Sequence, residues 1–200
     1  MISQQTFDAS RTQRGDDLLT LSRRSPLLVV FLRHSGCPFC REALAELSVK
    51  RAAIAELGVE IVLVHMMNDA DAAALFKRYG MDGVDRVSDP ERRLYGAFGL
   101  ESGTASQVIG PRIWWRGFKA TLLRGHLPGW PKGDVFQLPG AFLFSNGEIR
   151  RAFRPADSAV QPDWQGLASA TEGTECPKNT CDISPELPAT DTSAQSGGVR

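Results

Sequence analysis

The apolar positions of this chain change period along its length, and each change marks an element. PLLVVFLRH, residues 26–34, is apolar on both faces of an extended chain, and Val29, Val30 and Phe31 favour strand. It predicts a buried central strand entered by a proline. REALAELSVKRAAIAEL, 41–57, switches to helical spacing. Leu44, Leu47, Ile54 and Leu57 share one side, Glu46, Lys50 and Glu56 are among the outward positions, and Gly58 ends the run. VEIVLVHMM, 59–67, predicts a second buried strand. Asn68 or Asp69 then caps the helix DADAAALFKRYG, which Gly80 closes. Strand, helix, strand, helix in this order implies a right-handed crossover and parallel strands.

Beyond residue 80 the pattern is less regular. SDPERRLYGAFGL, 88–100, predicts a short helix with Asp89 as cap and Pro90 at the first helical position. IWWRGFKATLLRG, 113–125, has helical spacing interrupted by Gly117. GDVFQLPGAFLFSNGEIRRAF, 133–153, holds two strand-like runs, Ala141 to Phe144 and Ile149 to Phe153. Asn146-Gly147 between them supplies the positive φ angles of a two-residue hairpin turn. A last helix begins near Pro162 and runs through WQGLASA. Residues 1–24 are polar and poorly patterned, and the chain from about Thr171 is rich in Ser, Thr, Pro, Gly and acidic residues. The expected organisation is a lead segment (1–19), one α/β domain (20–170) and a flexible tail (171–200).

Composition narrows the function. Apolar residues make up 42% of the chain, enough for a core without disulfide staples. Lys+Arg and Asp+Glu balance at 23 each, which removes the electrostatic footprint of a nucleic-acid binder or of a protein drawn to anionic membranes. The N-terminus lacks the apolar core of a secretory signal, and no apolar stretch is long enough to span a bilayer. The expected location is the cytoplasm, where thiols are kept reduced. Four cysteines there suit catalysis, metal binding or redox sensing better than structural disulfides.

Two of them carry the chemistry. In FLRHSGCPFCRE, Cys37 and Cys40 follow the first buried strand and open the helix. Cys37 then lies at a helix N-terminus, where unpaired N–H groups and the helix dipole favour a thiolate. Pro38 suits the first turn because its missing N–H has no partner there. The second thiol, one turn on, can attack a mixed disulfide or a sulfenic acid formed on the first. His34, Arg33 and Arg41 add positive charge nearby. The alternative is a pair of inert core cysteines. Pro139 directly precedes the hairpin, in the position where thioredoxin-like folds hold a cis-proline against the Cys-X-X-Cys. An ordinary trans proline at a strand entrance is the competing expectation.

FLRHSGCPFCREALAEL, SDPERRLYGAFGL and GDVFQLPGAFLFSNGEIR, in that order, resemble the AhpC/TSA-type antioxidant proteins. More narrowly they resemble the peroxiredoxin-like branch of that family, which includes relatives of selenoprotein L. The resemblance covers roughly residues 20–170. It implies a thioredoxin-like fold, a central mixed sheet with helices on both faces and a C-terminal antiparallel hairpin. It also implies reduction of a peroxide or disulfide with electrons from a thiol donor such as thioredoxin or a low-molecular-weight thiol. Two departures stand out. Peroxiredoxins proper carry Pro-X-X-X-Thr-X-X-Cys, whereas His34 stands three before Cys37, and Cys37 stands three before Cys40. By that spacing Cys40 matches the peroxidatic position, and by thioredoxin logic Cys37 is the attacking thiol. Pro139, where many members of the branch carry glycine, is closer to thioredoxin.

Other residues have two readings each. Cys176 and Cys181, in TECPKNTC, are incidental tail thiols, resolving or regulatory thiols, or partners of Cys37 and Cys40 around zinc, although the separation of the pairs matches no zinc ribbon. His34 either tunes the thiolate or ends a strand. His65 reads as a hydrogen-bonded core group, and nothing marks His126. Trp114, Trp115, Phe118 and Trp130 pack a core or form an apolar lip over the thiols, with Arg112, Arg116 and Lys119 near it. The reading that follows is an oxidoreductase that reduces peroxides through a Cys37/Cys40 dithiol–disulfide cycle, without metal or organic cofactor. The alternatives are a protein disulfide reductase using the same pair and a non-enzymatic redox sensor or interaction protein.

Overall fold

A computed structural model of the chain describes residues 6–7, 11–33, 36–100, 102, 136–155 and 160–169. In chain order the elements are α1 (Leu18–Arg24), β1 (Leu27–Phe31), α2 (Pro38–Glu56), β2 (Glu60–His65) and α3 (Asp69–Arg78). β3 (Asp85–Ser88), α4 (Arg93–Ala97), β4 (Gly140–Ser145), β5 (Glu148–Phe153) and α5 (Trp164–Ala168) follow. The strands form one mixed sheet in the order β3-β2-β1-β4-β5. β1 and β2 are parallel, with Leu27 opposite Glu60 and Phe31 opposite Val64, and β2 and β3 are parallel as well. β4 runs antiparallel to β1 and turns back into β5.

β1 is buried at every position, as its two-faced apolar run requires. Leu28, Val30 and Leu32 meet α2, α3 and α5 through Leu44, Leu47, Phe76 and Trp164. Leu27, Val29 and Phe31 meet α1 and α4 through Leu18, Leu21, Leu94 and Tyr95. Helices therefore cover both faces.

The caps follow the sequence closely. The Asn68 side chain accepts from the Asp71 N–H (2.9 Å) and starts α3. Gly58 and Gly80, at φ 72° and 68°, end α2 and α3. Asn146 (φ 53°) and Gly147 (φ 80°) make the hairpin turn, and their N–H groups donate to the Ser22 carbonyl and hydroxyl.

Some expectations are corrected. Leu57, read as part of the apolar stripe, is the exposed C-cap of α2. The helix expected from Asp89 begins at Arg93 instead. Asp89 closes a turn with Arg92 first, and its carboxylate then reaches forward to the N–H groups of Arg93 (3.0 Å) and Leu94 (2.8 Å). Pro90 thus lies in that turn rather than in the helix. Two short elements carry no periodic signal. α1 is started by the Asp17 carboxylate accepting from Thr20 N–H (2.8 Å). β3 is four residues long, and the Gln13 side chain accepts from Arg86 N–H at its outer edge. α1 begins ahead of residue 20, and Phe7 from the lead segment is buried against Phe144. The runs at 113–125 and 171–200 lie outside the described residues.

Candidate active site

β1 and β2 deliver their C-terminal ends to the start of α2. Cys37 is the N-cap of α2 in an extended conformation, and Pro38 occupies the first turn. Cys40 falls one turn into the helix. Both are free thiols, 1% and 6% exposed.

One residue addresses both sulfurs. Arg33, 3% exposed, directs its Nη1 at Cys37 Sγ (3.5 Å), and its backbone N–H donates to Cys40 Sγ (3.2 Å). Its Nε donates to the Gln137 carbonyl (2.9 Å), which fixes the guanidinium. The Gln137 side-chain amide in turn donates to the Leu100 carbonyl (3.2 Å) and is buried.

These contacts separate the two thiols. Cys37 is lowered from an ordinary value near 9 to about 6. A hydrogen bond from the Cys40 thiol is the main cause. Burial opposes it, and the Arg33 charge and the Phe39 and Cys40 amides at the helix start add to it. Neither amide meets the sulfur in full capping geometry, so the amides act as dipoles. Cys40 is pushed well above its ordinary value, first by its bond to Cys37, then by burial and by the Cys37 charge. The geometry therefore pairs a thiolate at Cys37 with a proton held on Cys40.

The predicted site residues divide three ways. Cys37, Pro38 and Cys40 come together at the helix start. Pro139 shares with Cys40 an apolar cleft of about 20 Å³, lined also by Phe39, Ala43, Phe153 and Trp164. No peptide bond among the described residues is cis, so Pro139 is trans, which corrects the cis expectation. It enters β4 ahead of the residue opposite Phe31, as a proline at a strand entrance normally does. A Cβ at Gly140 beside it would lie 2.7 Å from Leu100 Cδ2, so any larger residue would have to displace that side chain. The guanidinium that acts on the sulfurs is Arg33's, while the Arg41 N–H continues the helix to the Cys37 carbonyl (3.3 Å). His34, Cys176, Cys181, His126 and the tryptophans of the 113–130 region lie outside the described residues. Within the described residues no group of three His, Cys, Asp or Glu side chains is arranged to hold a metal ion, and no helix is long and apolar enough to cross a membrane.

Sequence reasoning noted the charge of Arg33 without its geometry and missed Gln137 and Tyr95 altogether. The Tyr95 hydroxyl donates to the Leu32 carbonyl and lies 3.3 Å from that of Val64, at the ends of β1 and β2. His65 is buried and only half paired. Its Nδ1 lies 3.1 Å from the Met67 carbonyl, whereas Nε2 has no partner among the described residues, and burial lowers the group to about 4.

A dithiol at a helix start beside a mixed sheet defines a thiol oxidoreductase of thioredoxin-like fold. The family model for AhpC/TSA antioxidant enzymes matches residues 46–157, and the chain belongs to that family. The match begins within α2, beyond Cys40, so the assignment of the thiols rests on their geometry. No curated protein matches the sequence. Solved structures share the fold at low identity. The bacterioferritin comigratory protein of Xanthomonas campestris is 17% identical over 84% of this chain and 90% of its own, with a TM-score of 0.57. Reduced Prx3 of Vibrio vulnificus is 17% identical over 76% and 84%, with a TM-score of 0.54.

Proposed function

We propose that the protein reduces peroxides through a cycle of Cys37 and Cys40, with Cys37 as the attacking thiolate. The carrying observation is the asymmetry between the sulfurs: Cys37, beside the Arg33 guanidinium, is lowered to about 6, and Cys40 holds its proton. The Cys37 thiolate attacks one peroxide oxygen. The O–O bond breaks, the other oxygen leaves as alcohol or water after taking a proton, and Cys37 becomes a sulfenic acid. Cys40 then attacks Cys37 Sγ. The S–S bond forms, the S–O bond breaks, and hydroxide leaves as water with the Cys40 proton. An external thiol donor, thioredoxin or a low-molecular-weight thiol, returns two electrons by exchange. Cytoplasmic thiol pools supply such donors, and no metal or organic cofactor takes part in these steps. The Xanthomonas structure concerns alkyl peroxide reduction and the Vibrio structure contains hydrogen peroxide, which supports peroxide as the oxidant and names two to compare.

The test is a disulfide map. The reduced protein receives an equivalent of peroxide and is quenched with an alkylating agent within seconds, and its cysteines are located by peptide mass spectrometry. The expected result is a Cys37–Cys40 bond. Cys37→Ser should abolish peroxide consumption, and Cys40→Ser should stop at the sulfenic acid. Two thiols that remain alkylatable would overturn the reading. The lack of threonine three residues before either cysteine favours a second reading, a protein disulfide reductase using the same Cys37 thiolate. Faster reaction with protein disulfides than with either peroxide would select it.

A further inference from the structure

The Leu32–Arg33 peptide unit is held at both of its polar ends. Its carbonyl accepts a hydrogen bond from the Tyr95 hydroxyl, and its N–H donates to Cys40 Sγ (3.2 Å). We propose that Tyr95 is a positioning residue that tunes the Cys40 sulfur through this amide.

The physical link is the amide itself. The unit is planar, so fixing the carbonyl direction fixes the N–H direction. A hydrogen bond accepted by the carbonyl also draws electrons from the nitrogen and makes the N–H a stronger donor, by ~10–30% per bond in chains of this kind. The donor is firmly rooted. Tyr95 is fully buried, and its ring meets Phe31 edge-on at 4.9 Å. Its backbone belongs to α4, whose first amides are tied to the Asp89 carboxylate. Burial keeps the phenol protonated, so it remains a donor throughout. The other rings packed on this face, Phe7, Phe31, Phe98, Phe142 and Phe144, carry no polar atom. A phenylalanine would fill the same volume, and burying a hydroxyl is costly unless it is used.

The role falls in the second step of the dithiol cycle proposed above, on which this inference rests. There Cys40 gives up its proton as it attacks Cys37 Sγ, and negative charge develops on the sulfur that the Arg33 N–H faces.

Thiolate absorbance against pH in a background of Cys37→Ser, Cys176→Ser, Cys181→Ser and Tyr79→Phe leaves Cys40 as the one thiol of the four and isolates its titration without any peroxide. Adding Tyr95→Phe should raise its midpoint by about half a pH unit, a roughly threefold change. The opposite arm places ring-fluorinated tyrosine at 95 in a Tyr79→Phe chain, since the sequence has two tyrosines. The more acidic phenol is a stronger donor of unchanged shape, and it should lower the midpoint. With both cysteines present, the sulfenic acid on Cys37 should last roughly threefold longer in Tyr95→Phe before closing to the disulfide. A purely structural tyrosine cannot move the midpoint both ways. A Cys40 midpoint unmoved in the fluorinated protein would overturn the proposal, even if Tyr95→Phe fails to fold. A wild-type protein that forms no sulfenic acid would instead sink the peroxide reading and leave the titration to judge the relay.

Discussion

The two faces of the sheet are packed from different materials. The face that carries the thiols is mostly aliphatic, with Leu28, Val30, Leu44, Leu47, Ile61 and Leu63, and it includes the cleft beside Cys40. The opposite face is aromatic. Phe31 meets Tyr95, Phe98 and Phe142 at centroid separations of 4.9 to 5.5 Å, and Phe98 also packs on Phe144. Phe31 meets Tyr95 and Phe142 edge-on, a favoured geometry worth about 0.5–1.5 kcal/mol per pair beyond burial, so the aromatic side serves as a mount. Adaptable aliphatic packing lies where sulfur chemistry needs room. The faces meet at the C-terminal end of β1, where Phe31 points one way and Leu32 the other.

This contrast can be broken from either side. Phe98→Ala should destabilise the protein by about 3–5 kcal/mol, measured by chemical denaturation, and leave the Cys37 titration in the folded protein unchanged. A shift in that titration would mean the mount and the site are not separable. On the thiol face, His65 makes stability sensitive to acid. It is a base whose folded value, about 4, lies below its ordinary 6.5. Its contribution is complete above pH 6.5 and is lost as pH falls toward 4, by about 3 kcal/mol. His65→Gln retains a donor for the Met67 carbonyl and should flatten this limb; an unchanged slope would remove His65 from the account.

Smaller effects sharpen the picture of the site. Arg33→Met keeps the unbranched apolar stem of the side chain and removes its charge. The Cys37 midpoint should rise from about 6 toward its ordinary value. A rise of about one pH unit halves the thiolate fraction at pH 7, so alkylation of Cys37 there should slow roughly twofold. Unchanged alkylation would assign the low value to the helix and Cys40 alone. Smallest of all, Asn146→Ala forces alanine to a positive φ in the hairpin turn and should cost about 1 kcal/mol without touching the thiols.

Periodicity made β1, α2, β2, α3 and the hairpin legible, because each is long enough to repeat or carries a turn signature. The Cys37–Cys40 pair was legible for the same reason, since a strand, two cysteines and a helix are contiguous. α1 and β3 were not, because seven and four residues hold too little pattern against their charged neighbours. Gln137, Tyr95 and the geometry of Arg33 were hidden for another reason. Arg33 meets Gln137 across 104 positions, and Tyr95 meets Leu32 across 63, so no local spacing links them. Pro139 misled because its position suggested an isomer that its surroundings do not adopt.

The pairing of β1 with β4 also governs how the chain must emerge from the ribosome. β1 meets β2 soon after both are made, but its other neighbour, β4, lies roughly a hundred residues later. At ~5–20 residues per second, that edge waits about 5–20 s for its partner. For that interval LLVVF keeps one apolar strand edge unpaired on a nascent chain, the kind of edge that chaperones shield.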